Sequence, residues 1–313
     1  MTPAVAIPVF LASIALMLWA ASVFSYRLDR IGERLGMPET LLGLLTALAA
    51  DAPELSSAIV AVVSGQSSVA VGVVVGSNVF NLAAMLGLSA VIVARVRARH
   101  DATELEAFAC IWFVVVSLAV VVGWIGGVVG LILVALVAVP YVFLLGRGEP
   151  PELPRTRAID VWRESRRLVL VLAAALALIV GGSIGAVRAA TALGEAWSIP
   201  PALVGVLVLA VLTSLPNAWT GVRFGLQGRG SALMSETLNS NSINVVAGLA
   251  LPAALGSITA FSRLDKFNLA WLLGMTVVAV VLFGRRGGGG RTAGAFLIAL
   301  YAIFVAVQLV VLR

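Results

Sequence analysis

Cysteine, histidine and lysine are almost missing from this sequence. Cys110, His100 and Lys266 are each the only residue of their kind. One cysteine excludes an internal disulfide and a thiolate metal site. With a single histidine, placed among charges between apolar segments and read as a solvated loop residue, nothing points to zinc, copper or iron chemistry. No Ser-His arrangement or His-Glu metal motif occurs in any apolar segment, so the sequence does not read as a membrane enzyme. Charge is scarce as well. Only 12% of residues are charged and 61% are hydrophobic, against about 25% and 45–50% in soluble domains. That excludes a soluble globular domain, a disordered chain and a secreted disulfide scaffold. A membrane span needs about 20 apolar residues, so 313 residues hold about ten spans and no sizeable soluble domain. The net charge of +6 is not read as a nucleic-acid signal, because basic loops in a membrane protein mainly set its orientation.

What is present is a series of apolar segments. They run at about 3–24, 38–63, 69–94, 105–122, 125–145, 168–189, 200–222, 232–256, 268–284 and 293–312. The first lacks a basic n-region and a clear cleavage site before Arg27, so it reads as a span and not a signal peptide. The longest polar stretch, 146–167, contains Pro150, Pro151 and Pro154 and reads as a linker. It separates a first half, 1–145, from a second, 168–313, with five spans in each. Placing the N-terminus outside puts 17 of the 21 basic residues in inside loops and 4 on the opposite side, the bias expected of cytoplasmic loops. Both termini are then outside. An odd number of spans per half makes any similarity between the halves an inverted repeat.

Such similarity exists. Met37-Pro-Glu-Thr-Leu-Leu-Gly43 parallels Ile199-Pro-Pro-Ala-Leu-Val-Gly205 at an offset of 162. Ala50-Asp-Ala-Pro-Glu54 parallels Thr213-Ser-Leu-Pro-Asn217, and Gly76-Ser-Asn-Val-Phe-Asn81 parallels Asn239-Ser-Asn-Ser-Ile-Asn244, both at 163. Apolar residues align easily by chance; Pro, Ser and two Asn in the same order do not.

The repeated residues carry the chemistry. Pro53 and Pro216 lack an N–H, so the carbonyls of Ala49 and Leu212, four residues earlier, lose their helical partner. At membrane depth such groups need another partner or line a cavity. One proline alone would read as a simple kink; two at equivalent positions with polar neighbours read as a site. Asp51 and Glu54 stand out as acids deep in a span, at a cost of about 2.5–3.5 kcal/mol each. Their i, i+3 spacing places both on one helical face. Either a divalent cation or a proton relieves their repulsion. Ser77, Asn78 and Asn81, with Ser240, Asn241 and Asn244, offer either interhelical hydrogen bonds or neutral oxygen ligands suited to sodium or calcium. Glu236, near the start of the eighth segment, reads as a solvated helix-end residue. Gly43, Gly72, Gly76, Gly87, Gly205 and Gly248 permit close helix packing. Trp19, Trp124 and Trp197 fall near span ends, as interface anchors do.

These motifs resemble the calcium/cation antiporter superfamily, and the sodium/calcium exchangers in particular. The resemblance covers essentially the whole chain and is most specific near 38–90 and 200–255. It implies an all-α polytopic membrane protein of ten helices in two inverted repeats. It implies a central site between the second, third, seventh and eighth spans, and alternating access. It also implies calcium moved against sodium or protons, with no resident cofactor. The family pattern is Gly-Thr-Ser-x-Pro-Glu, then Gly-Ser-Asn-x-x-Asn or Asp. Here Ala49-Ala50-Asp51 replaces Gly-Thr-Ser, while Asn217 replaces the second acid and Asn244 stands where many members have Asp. A charge relocated to Asp51 would keep the site near −2. The implied ligand set is Glu54 and Asp51 for charge, with Asn81, Asn217 and Asn244 as neutral oxygens. Ser77, Asn78, Thr213, Ser214 and Ser240 would assist, together with the Ala49 and Leu212 carbonyls. Cation/proton exchange, and a non-transporting sensor or scaffold role prompted by Asn217, are the alternatives. The short loops suggest a prokaryotic plasma-membrane protein. None of these features speaks to the number of copies in an assembly.

Overall fold

The computed structural model describes residues 1–34, 44, 47–98, 100–145, 158–258, 261–285 and 287–311. The Met37–Gly43 motif and linker residues 146–157 lie outside them. Among the described residues, helix accounts for nearly everything. In chain order the helices are α1 (Pro3–Arg34), α2 (Ala52–Val63), α3 (Ser67–Val93), α4 (His100–Val122), α5 (Gly127–Leu145) and α6 (Ala158–Ala196). Then come α7 (Pro201–Thr213), α8 (Leu215–Leu226), α9 (230–254), α10 (Arg263–Phe283) and α11 (Arg291–Val311). Seven of these contain a stretch long and apolar enough to cross a membrane, and the bent pair α7–α8 makes an eighth if taken as one span. α2 is a shorter apolar helix, and α9 is crowded with Ser, Thr, Asn and Glu.

The largest boundary differences from the sequence reading lie in α1 and α6. α1 continues past residue 24 to Arg34, and α6 starts at Ala158, inside the stretch read as linker. Polar residues leaving the bilayer end a hydropathy segment but need not end a helix, whose backbone bonds are local.

The breaks in the helices follow the sequence closely. α2 starts after Asp51 (φ −81°, ψ −4°), and α8 after Ser214 (φ −86°, ψ 2°), with proline in the first two positions of each. Proline is tolerated in a first turn because the N–H it lacks would have no helical partner there. α7 and α8 meet at 46°. Asp51 and Ser214 are 163 apart, and α2 and α8 are each 12 residues long. Two further distortions match: wider π turns at Leu82–Leu88 and Val246–Ala250 follow Asn81 and Asn244 closely. A third lies at Val204–Leu209 in α7. Such turns cluster at functional sites.

Packing is closest where side chains are smallest. A Cβ on Gly72 would lie 2.8 Å from the Ala202 carbonyl oxygen and 3.1 Å from Gly205 Cα, so α3 and α7 touch backbone to backbone. Gly76 continues that seam against Val206 and Ala210. At one end of the bundle, β1 (Arg95–Val96) pairs antiparallel with β2 (Gly289–Gly290). Gly230 also abuts Arg97. Three loops that the arginine bias assigns to one face are therefore in contact. Trp19, Trp124 and Trp197 are each more than half exposed.

Candidate cation site

The site begins with the two breaks. Because the chain turns at Asp51 and Ser214, the first turns of α2 and α8 lie within the bundle and carry Glu54 and Asn217. α3 and α9 supply the amides. Asp51 is 0% exposed and Glu54 1%. Asn217 Nδ2 bridges them, donating to Asp51 Oδ1 at 2.7 Å and to Glu54 Oε1 at 3.2 Å. The same nitrogen lies 3.3 Å from Ser240 Oγ, which donates to Asp51 Oδ1 at 2.5 Å. Asn81 Nδ2 donates to Ser240 Oγ at 3.1 Å. Asn244 lies beside Asp51 and Ser214 beside Glu54, neither with a hydrogen bond through its own side-chain oxygen. One cluster thus joins four helices and both repeats.

The cluster leaves oxygens over. Asp51 Oδ2, Glu54 Oε2, Asn81 Oδ1, Asn217 Oδ1, Asn244 Oδ1 and Ser214 Oγ are all buried without a partner. Buried polar atoms normally find one. Six hard oxygens, two of them on carboxylates, match the donor chemistry of a calcium-like or sodium-like ion, calcium taking six to eight oxygens. Among the described residues no group of three or more His, Cys, Asp or Glu gathers. The free donors of the cluster are oxygens, not thiolates or imidazoles.

The remaining candidate ligands are placed differently. Ser77 Oγ donates to Val74 O at 3.0 Å, and Thr213 Oγ1 to Leu209 O at 2.9 Å, so both hydroxyls bond back to their own helices. Asn78 Nδ2 donates to Asn241 O at 3.0 Å while Asn241 Nδ2 donates to Asn78 O at 3.2 Å. Identical bonds exchanged between equivalent residues are what a local two-fold axis produces, and they clasp α3 to α9. Ala49 is buried and Leu212 half-buried, each four residues before a proline.

One expectation is overturned: Glu236 is not a solvated helix end, since it is 6% exposed. The sequence reading also missed two buried acids. Asp265 closes a capping box with Ser262 at the start of α10. Glu106, in the second turn of α4, is 7% exposed and bonded to Ser235. It lies near the end of an apolar segment, where acids are ordinarily solvated. The available signal was Thr103, Glu106 and Cys110 lying at i, i+3 and i+7, all on the buried side of α4.

Comparison with known proteins now bears on this site. A family model described as sodium/calcium exchanger protein matches residues 5–146 and 167–310. The chain belongs to the sodium/calcium exchanger family. The two matched blocks lie on either side of the central polar stretch. The uncharacterized membrane protein MJ0091 of Methanocaldococcus jannaschii is 24% identical over 303 residues, 95% of this chain and 96% of that protein. Sodium/potassium/calcium exchanger 4 of Homo sapiens is 26% identical over 130 residues, 39% of this chain and 21% of its own length. A solved structure of the sodium-calcium exchanger NCX_Mj superposes with a TM-score of 0.69 at 18% identity, covering 97% of this chain and 99% of that one. This exchanger-family chain therefore shares that fold, and it is a multi-pass membrane protein with prokaryotic relatives.

Proposed function

We propose that this cation antiporter moves a calcium-like divalent ion against sodium through the cluster of Asp51, Glu54, Asn81, Asn217 and Asn244. The observation that carries this is the pair of buried carboxylates bridged by one amide, in a cluster with six partnerless oxygens, two of them their own. Asp51 and Glu54 supply a charge near −2, which one divalent or two monovalent ions neutralise. The two ion types then compete for one site, and rocking of one helix group against the other exposes it to either face. Asp51 occupies the position equivalent to Ser214, and Asn217 the position equivalent to Glu54. The second acid of the family pattern has in effect moved into the first repeat and still reaches the same cluster. The arginine bias and the contact between three basic loops support ten spans, both termini outside and a prokaryotic plasma membrane.

The test is calcium uptake into proteoliposomes of controlled orientation, with an outward sodium gradient, an outward proton gradient, or neither. Sodium-driven uptake that is lost in Glu54→Gln supports the proposal. Uptake driven only by protons replaces sodium with the proton as counter-ion, a reading favoured by the absence of hydroxyls at Ala50 and Asp51, which stand where the family pattern has Thr and Ser. No uptake, and no cation-dependent thermal shift of folded protein, points to the non-transporting role.

A further inference from the structure

A second buried polar system lies on the far side of α9 from the central cluster. Tyr141 of α5 donates its hydroxyl to Asn239 Oδ1. Asn239 Nδ2 donates to Ser235 Oγ at 3.3 Å, and Ser235 donates to Glu106 Oε1 of α4 at 2.5 Å. Every donor in this chain points toward the Glu106 carboxyl. Glu106, Tyr141 and Asn239 are buried, at 7%, 4% and 2% exposure. Glu106 Oε2 is buried with no partner. A carboxylate this buried is costly without a cation beside it, and Glu106 has none among the described residues.

The neighbours define what the carboxyl can bind. From α5 the titratable group is Tyr141, and from its own helix Cys110 one turn on, with Glu104 two residues back. From α9 the adjacent Glu236 has a partner of its own. α10 carries no titratable residue between Phe267 and Gly284. Arg285 follows, lining a groove of about 500 Å³ with Thr103 and Glu104. A metal ion would need several free oxygens, whereas this cluster has used all but Oε2 on itself. One open valence on a carboxyl fits a proton. Glu106 lies six residues from the start of α4, about 9 Å along the axis at 1.5 Å per residue, which gives a short path to water.

We propose that Glu106, with Ser235, Asn239 and Tyr141, forms a proton-binding site distinct from the central cation site, and that its protonation sets how firmly α9 is held against α4 and α5. The link is direct, because Asn239 is followed by Ser240, which donates to Asp51. Losing the proton leaves an anion that draws on the Ser235 hydroxyl, while binding it releases that demand.

The first experiment is infrared titration of the protonated-carboxyl band in purified protein, which needs no transport. The expected result is a titrating band that is absent in Glu106→Gln and present in Asp51→Asn and Glu54→Gln. Identical carboxyl bands in wild type and Glu106→Gln at every pH overturn the proposal. Should Glu106→Gln not fold, Ser235→Ala retains the acid and removes its donor. Its band midpoint should move by about one pH unit, the equivalent of one hydrogen bond to a charged group, and an unmoved midpoint overturns the proposal. The coupling to α9 rests on the antiport reading and has its own readout. The pH profile of transport in Glu106→Gln should lack one inflection of wild type, with calcium affinity unchanged at a fixed acidic pH, where wild-type Glu106 is neutral like the glutamine. A missing band with an unaltered transport profile overturns the coupling but not the site. Absence of transport in wild type counts against the antiport reading, and the infrared result still decides the site.

Discussion

The two halves of the molecule share their geometry and differ in their charge. Each turns one residue before a 12-residue helix, at Asp51 and at Ser214. Each puts a Ser-Asn-x-x-Asn stretch on the neighbouring long helix and follows it with a π turn. Yet the first half brings two carboxylates to the centre and the second brings none: Glu54 faces Asn217, and Asp51 takes the place equivalent to Ser214. Symmetry of backbone therefore does not require symmetry of side-chain charge. What a hard-cation site needs is total charge and oxygen count near one point, and either half can provide the charge once both reach that point.

The strongest way to break this comparison is to remove charge from the half that has it. Glu54→Gln should weaken divalent binding by at least about 100-fold, since even supporting partners of metal ligands cost 10–100-fold. Isothermal titration of the purified protein measures it. The sharper version moves the charge back. Asp51→Ser alone should weaken calcium binding by about 100-fold and sodium binding less, because a divalent ion loses twice the Coulomb energy of a monovalent one at the same distance. Asp51→Ser with Asn217→Glu, which restores the family pattern at both positions, should recover most of the loss. Failure of the double variant to recover, while folded, would show that Asp51 does not stand in for the absent acid.

The repeat that carries this contrast was readable in the sequence, as were Asp51, Glu54 and the Asn positions, because buried acids are rare in membrane spans and because Pro, Ser and Asn recur in the same order in both halves. The clusters were less readable. Asn78 and Asn81 have the same chemistry and lie three residues apart, yet one clasps a facing backbone and the other approaches Ser240. The difference depends on which helix lies opposite, and one strand of sequence does not contain that. Glu106 and Glu236 failed for a related reason: hydropathy at a segment end says where a helix leaves the bilayer, not what packs over it. The π turns carry no residue signature at all.

A smaller effect is expected where the halves press together. Gly72 and Gly205 bring α3 and α7 into backbone contact. Gly205→Val should destabilise the protein by about 1–3 kcal/mol, the range for overpacking a closed interface. Gly274, whose Cβ would meet nothing within 4 Å, serves as control, and Gly274→Ala should be neutral or slightly stabilising through helix propensity. Thermal unfolding in detergent separates the two. Equal effects would mean that the α3–α7 seam is not closely packed in solution.

The smallest effect tests the symmetry itself. Asn78 and Asn241 exchange identical bonds, so Asn78→Ala and Asn241→Ala should each cost about 0.6–1.7 kcal/mol, the range for interhelical hydrogen bonds in membranes. They should agree within about 0.5 kcal/mol. Because each variant removes one donor and leaves the other bond in place, the double variant should show a coupling of at least about 0.5 kcal/mol, as residues in contact do. Neither variant should change calcium affinity more than about threefold if the pair only holds α3 to α9, since a positioning bond of this size changes geometry little at the Asp51 carboxylate. A large affinity loss in Asn78→Ala alone, with Asn241→Ala silent, would place Asn78 among the ligands after all. The asymmetry of the site would then extend from its charges to its neutral oxygens.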